Sequence, residues 1–145
     1  MNIEKSFDGA FKRMKDRNWE KIYVLVDIHD TILEACYHDI EEYKWYPYAK
    51  ECLDIMSHSE QISLILWTST HDKVIADYLK YFQQFGINFD MVNENHETTN
   101  TDLSCFDKKT YFNVGIDDKF GFEAEIDWEI LYEYLVESIR LGKFK

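Results

Sequence analysis

A chain of 145 residues, 46% hydrophobic and 17% aromatic with one proline and five glycines, has the composition of a single folded domain and excludes disorder. Its 28 acidic against 16 basic residues leave a net charge of −12, which repels phosphate backbones and disfavours a nucleic-acid-binding module. No apolar run reaches the roughly 18–20 residues that a membrane span requires. The opening "MNIEKSFDGAFKRMKD" carries charge where a signal peptide needs an apolar centre, so a cytoplasmic chain with no membrane partner is expected. Cys36, Cys52 and Cys105 share no CxxC spacing and read as reduced thiols.

In chain order, residues 1–20 predict a helical extension in which Ile3, Phe7, Phe11 and Met14 share a face that packs on the domain. Residues 21–140 form the core of the one domain. Ile22 to Val26 is a continuous apolar run, the pattern of a strand covered on both faces. A helix follows from Pro47 to Met56, with proline at its first position. Ile62 to Trp67 is a second strand. Val74, Ile75, Tyr78, Leu79, Phe82 and Phe85 then recur at helical spacing, with Gly86 as a stop. Ile87 to Val92 and Tyr111 to Ile116 read as the third and fourth strands. Asp127 to Ile139 is a last helix, with Trp128, Leu131, Leu135 and Ile139 on one side. Strands alternating with helices predict right-handed crossovers and an α/β fold, a three-layer α/β/α arrangement around a central parallel sheet.

Such sheets bind ligands beyond the carboxyl ends of their strands. Strand one delivers Asp27, with His29, Asp30 and Thr31 in the next loop. Strand two delivers Thr68, Ser69 and Thr70, and strand four delivers Asp117 and Asp118; Lys108 and Lys109 precede that strand. Two or three carboxylates suit Mg²⁺, a hard cation that prefers oxygen. The cation and a lysine can neutralise a phosphoryl group while one carboxylate attacks phosphorus.

"VDIHDTIL", "LILWTST" and "DKKTYFNVGIDDK", in that order and each at a strand end, resemble the haloacid dehalogenase (HAD) superfamily of phosphatases, over residues 20 to 140. The resemblance is closest to its small capless bacterial and phage members, to which "GINFDMVNEN" also corresponds. It implies a Rossmannoid fold and a Mg²⁺-dependent phosphohydrolase that forms an aspartyl-phosphate on Asp27. It places Thr31 in the loop, Thr68 on the phosphate with Ser69 beside it, and Lys109 on the phosphate, Lys108 being the alternative by one register. Mg²⁺ is implied between Asp27, the backbone carbonyl of His29, Asp117 and Asp118. The partner implied is a small phosphorylated substrate, and a homo-oligomer stays open.

Position 29 departs from the family, in which an aspartate protonates the leaving oxygen and then activates water. His29 either performs both tasks, as imidazole can near neutral pH, or marks their loss and leaves a metal- and phosphate-binding domain. Asp30 reads as a loop-stabilising acceptor of backbone N–H groups. The stretch from Thr31 to Pro47 is too short for a cap domain; its Tyr37, His38, Trp45 and Tyr46 read as a loop anchored by aromatics. Asn93 and Glu94 lie near a strand end and are candidates to line the pocket. His58, His71 and His96 lack metal-ligand spacing. Ser69, Thr70 and Asp72 also serve as N-terminal caps of the helix that follows.

Overall fold

The computed structural model describes residues 1–35 and 43–145; Cys36, Tyr37 and His38 lie outside the described residues. In chain order the elements are α1 (Ile3–Asp16), β1 (Ile22–Val26), α2 (Ala49–Ser57), β2 (Ile62–Leu66), α3 (Asp72–Gln83), β3 (Met91–Val92), β4 (Val114–Ile116) and α4 (Asp127–Arg140). A short 3₁₀ turn, Asp118–Phe120, follows β4. The strands form one parallel sheet in the order β3-β2-β1-β4, flanked by the helices, which is the α/β fold that the alternating pattern predicts.

β1 pairs with β2 on one side and β4 on the other, and its Ile22, Val24, Leu25 and Val26 are all buried. Each such side chain contributes about 1.5–3 kcal/mol when removed from water. Ile22, Val24 and Val26 point into the larger core with side chains of all four helices, whereas Leu25 joins Ile65 and Met91 in a smaller cluster with Tyr23, Trp67 and Phe112. α1 packs on the domain as its stripe predicts, with Ile3, Phe7, Phe11 and Met14 buried. Asn2 caps it by accepting the Lys5 N–H at 3.0 Å.

Some boundaries differ from the sequence reading. β3 is confined to Met91–Val92, since Asp90 takes over the ladder ahead of it: its N–H donates to the Leu64 carbonyl at 2.9 Å and its carboxylate accepts the Leu64 N–H at 2.8 Å. Asn113 does the same at β4, giving its N–H to the Tyr23 carbonyl and taking the Tyr23 N–H on its side chain at 2.7 Å. α2 begins at Ala49 rather than Pro47, because Tyr48 stands at φ 66° and breaks the helical run. On α4 the buried stripe runs Trp128, Leu131, Leu135 and Ser138; Ile139 has turned outward and is 45% exposed. Cys52 is buried and Cys105 exposed, and both are free thiols. No described helix is long and apolar enough to cross a membrane.

Candidate active site

β4 lies beside β1, on the opposite side from β2, so the chain reverses its direction of sheet growth at β1; crevices at such points receive ligands. Asp27 follows β1 directly, and its N–H donates to the Ile116 carbonyl at 2.9 Å, which holds it at the sheet edge. The next loop closes on one acceptor: the Ile28 carbonyl receives the N–H groups of Thr31, Ile32 and Leu33 at 3.3, 2.9 and 3.1 Å. Asp30 sits in the left-handed region at φ 56°, and its carboxylate accepts the Ala35 N–H at 3.2 Å. That is the loop-stabilising part its position suggests.

Thr31 is fully buried and joins the strand ends. Its hydroxyl donates to Asp27 Oδ2 at 3.2 Å and accepts the Asp118 N–H at 3.3 Å. Its carbonyl accepts the Trp128 indole N–H at 2.6 Å, which ties the loop to α4. On the β4 side, Asp117 Oδ1 accepts the Lys119 N–H at 2.9 Å and starts the 3₁₀ turn.

These bonds bring together one carboxylate oxygen each of Asp27, Asp117 and Asp118, all within 4.8 Å of one another. Asp117 is buried and Asp118 exposed. Burial and the negative charge of Asp117 push Asp27 up to about 6, against weaker opposing hydrogen bonds from Ile28 and Thr31. Asp117 is raised as well, first by burial, with Asp118 adding to the shift. Three clustered carboxylates, with Asp27 and Asp117 both pushed up, fit a hard divalent cation such as Mg²⁺, which supplies the missing positive charge and prefers oxygen donors. The His29 carbonyl, the fourth ligand the resemblance implies, accepts no hydrogen bond among the described residues.

The electrostatics have a consequence for stability. Asp27 has a folded pKa near 6 against an ordinary value of 3.8, so the folded chain holds this proton more tightly than the unfolded chain. The resulting stabilisation is complete below about pH 4 and is lost as pH rises through 6. A cation that binds the deprotonated cluster reverses the loss. Mg²⁺ at ten times its dissociation constant is therefore expected to raise Tm by roughly 3–6 °C at pH 7.5 and by markedly less at pH 5. Thermal unfolding monitored by circular dichroism checks this; a gain independent of pH would separate the cation from this cluster.

β2 supplies the opposite wall. Asn93, at φ 55° after β3, grips the Thr68 backbone with both ends of its amide: it accepts the Thr68 N–H and donates to the Thr68 carbonyl, each at 2.8 Å. The Thr68 hydroxyl lies 2.8 Å from that of Thr70 and accepts the Thr70 N–H at 3.2 Å. Asp27, Trp67, Thr68, Ser69, Asn93, Asp117 and Lys119 together line a cavity of about 320 Å³.

Of the residues the sequence nominated, Asp27, Thr68, Ser69, Asn93 and Asp117 thus meet at one cavity, with Asp118 completing the carboxylate group, whereas Glu94 is not among the residues that line it. Lys109 does not join them. It lines a separate cavity of about 420 Å³ with Ser104, Cys105, Phe106, Thr110, Tyr111 and Phe112. The His29 side chain also turns elsewhere: its Nε2 lies 2.8 Å from the Tyr78 hydroxyl on α3, with the rings edge to face at 5.6 Å. Trp45 is likewise anchored on α3, donating to the Tyr81 hydroxyl at 2.6 Å. Lys119 went unnamed in the sequence, and Trp128 was legible as a buried residue of the last helix but not as a brace of the Thr31 loop. Lys119 was adjacent to the acidic pair in "GIDDK"; helical spacing marks Trp128 as apolar face, but nothing local marks its contact with Thr31, which spans 97 residues.

No family model matches the chain, and no curated protein matches it. Among solved structures it is similar to that of a conserved protein coded by a locus from Bacteroides thetaiotaomicron, with a TM-score of 0.59 and 25% identity over 81% of this chain and 92% of the other. The likeness is one of fold. It supports the small α/β domain and says nothing of an activity.

Proposed function

We propose that this protein is a Mg²⁺-dependent phosphohydrolase of the HAD type that acts on small phosphomonoesters through Asp27. One observation carries the reading: three carboxylates from two adjacent parallel strands lie within 4.8 Å at the carboxyl edge of the sheet, two of them opening on a cavity that also presents Thr68 and Ser69.

Asp27, Asp117, Asp118 and the His29 carbonyl would hold the cation, which when bound neutralises charge on the phosphoryl oxygens. An Asp27 oxygen attacks phosphorus, the bond from phosphorus to the ester oxygen breaks, and the departing oxygen takes a proton. Water then cleaves the aspartyl-phosphate, releasing inorganic phosphate and restoring the carboxylate. Thr31 holds Asp27 in place throughout by its hydroxyl. The first test is hydrolysis of an aryl phosphate such as p-nitrophenyl phosphate: turnover is expected with Mg²⁺ and lost in a chelator. Turnover that persists in the chelator would reject the proposal.

A second reading, a domain that binds metal and phosphate with little turnover, is favoured by the contact of His29 with Tyr78. A ring nitrogen engaged by a phenol is a poor shuttle for the leaving-group proton, and acid–base help is worth typically 10²–10⁴-fold. The readings part at His29→Asp. A rise in kcat of about 10²-fold or more marks the native histidine as the limiting position; a fall marks it as the working acid and base.

A further inference from the structure

We propose that a second cavity, at the amino end of β1 and walled by Trp19, Tyr23, Phe106 and Tyr111, binds a small molecule bearing a quaternary ammonium group. This site is independent of the phosphohydrolase reading. It shares no lining residue with the Asp27 cavity. Tyr23 stands four residues before Asp27, roughly 13 Å away along an extended strand.

β1 turns Tyr23 and Leu25 to the side of the sheet away from the core that the helices fill. The return from β3 to β4 runs on that side without forming a helix, and it carries Glu97, Phe106 and Tyr111. Between them lies a cavity of about 560 Å³, the size of a small-molecule site. Tyr111 stands at its centre. It meets Trp19, Tyr23 and Phe106 at ring-centroid distances of 6.5, 6.0 and 5.2 Å and at angles of 85°, 79° and 71°. The rings are braced before any ligand arrives. The Asn95 amide donates to the Tyr111 carbonyl at 3.0 Å, the Asn113 amide donates to the Tyr111 hydroxyl at 3.1 Å, and the Phe106 N–H donates to Asn100 at 2.6 Å. All four rings are half-buried, which leaves part of each open to a ligand.

Geometry and charge choose that ligand. A planar heterocycle stacks between parallel faces, and a sugar ring lies on a flat platform. Walls at right angles form a corner that surrounds a compact group instead. The electron-rich faces of such a corner attract a cation, and methyl groups on its nitrogen fill the space without demanding hydrogen bonds. Among the described residues no lysine or arginine lies over Tyr23, Phe106 or Tyr111. The ring cluster of Trp45 and Phe85, by contrast, is filled from within by the Lys50 ammonium, 5.0 and 3.9 Å from their centroids. Arg17, outside the lining residues, rests 5.5 Å from the Trp19 centroid and shows that the cluster draws cations.

The charged groups of the lining are Glu20, Glu97 and Lys21, on a chain of net charge −12. Glu97 accepts hydrogen bonds from the Lys21 ammonium at 3.2 Å and from the Tyr23 hydroxyl at 3.4 Å. Its charge still reaches the rings, since it adds to the burial that pushes the Tyr23 hydroxyl up. Glu20 makes no ion pair among the described residues and leaves the cavity net negative. An anion would meet that charge with the one lining ammonium already paired.

The experiment is calorimetric titration of the full chain with choline chloride at constant ionic strength, beside 3,3-dimethylbutan-1-ol, which has the shape of choline without its charge. Phe106→Leu keeps apolar volume and removes a ring; Glu20→Gln removes only the unpaired charge. Glu20 is exposed and Phe106 half-buried on an irregular segment, so both variants should fold. The expected result is choline binding at least about 10-fold tighter than the alcohol, weakened about 5–10-fold in Phe106→Leu and about 2–3-fold in Glu20→Gln. The inference is overturned if choline gives no binding heat at millimolar concentration, if the alcohol binds as tightly, or if Phe106→Leu binds choline like the wild type. A trimethyllysine peptide titrated in parallel is expected to bind more weakly than choline; tighter binding would move the ammonium onto a protein partner and overturn the small-molecule assignment.

Discussion

Asp27→Asn is expected to remove Mg²⁺-dependent hydrolysis of p-nitrophenyl phosphate, lowering kcat by roughly 10³-fold or more. Asparagine keeps the shape of the side chain and an oxygen that can accept the Thr31 hydroxyl, which now bonds Asp27 Oδ2 at 3.2 Å. It removes the negative charge and the nucleophilic oxygen together. Because Asp27 stands within 4.8 Å of two other carboxylates, losing its charge relieves repulsion in the metal-free protein. The variant should therefore unfold at or above the wild-type temperature in chelator while gaining less from added Mg²⁺. That pairing separates lost chemistry from lost folding. Equal turnover in variant and wild type, measured as p-nitrophenolate release under saturating substrate, would remove Asp27 from the reaction.

The second large effect lies away from the carboxylates. Trp128 is fully buried on α4, packs edge to face on Phe122 at 4.9 Å, and donates its indole N–H to the Thr31 carbonyl at 2.6 Å. Trp128→Ala is expected to cost about 3–5 kcal/mol, a large part of the 5–15 kcal/mol that holds a typical domain together. Trp128→Phe keeps most of the ring volume and loses the donor, leaving a buried carbonyl unsatisfied at about 1–3 kcal/mol. Urea denaturation resolves both. The phenylalanine variant carries the link to function: the loop that loses the bond also holds Thr31 against Asp27 and Asp118, so a folded Trp128→Phe protein should bind Mg²⁺ more weakly. Wild-type stability in Trp128→Phe would show that α4 does not brace the loop.

The contrast between these two positions explains how far the sequence could be read. Asp27, Asp117 and Asp118 were legible because parallel strands must deliver their trailing residues to one edge, whatever the distance between them in the chain. β1 was legible as an unbroken apolar run and β2 as one interrupted only by Ser63. β3 and β4 came out shorter because Asp90 and Asn113 complete the ladder with side chains, a substitution that no hydrophobic pattern reports. Ile139 was placed on the buried face of α4 by a four-residue step from Leu135, where the helix instead buries Ser138 at the three-residue step.

The lysine shows a different limit. The family resemblance favoured Lys109, eight residues before the acidic pair, yet the chain between β3 and β4 carries that residue to another cavity, and the one after the pair lines the site instead. Path length through an irregular segment cannot be read from residue counts, whereas a residue two positions beyond a strand-end aspartate can hardly leave the site. His29 was legible as a departure but not in its partner, since Tyr78 lies 49 residues away on α3.

The most direct test of the central claim is capture of the covalent intermediate. The protein is incubated with acetyl phosphate and Mg²⁺, quenched in acid, digested and mapped by mass spectrometry. The expected result is a phosphoryl increment on the peptide bearing Asp27, absent without Mg²⁺ and absent in Asp27→Asn. Hydrolysis that proceeds with the increment on another residue, or with none on Asp27 under the same quench, would contradict it.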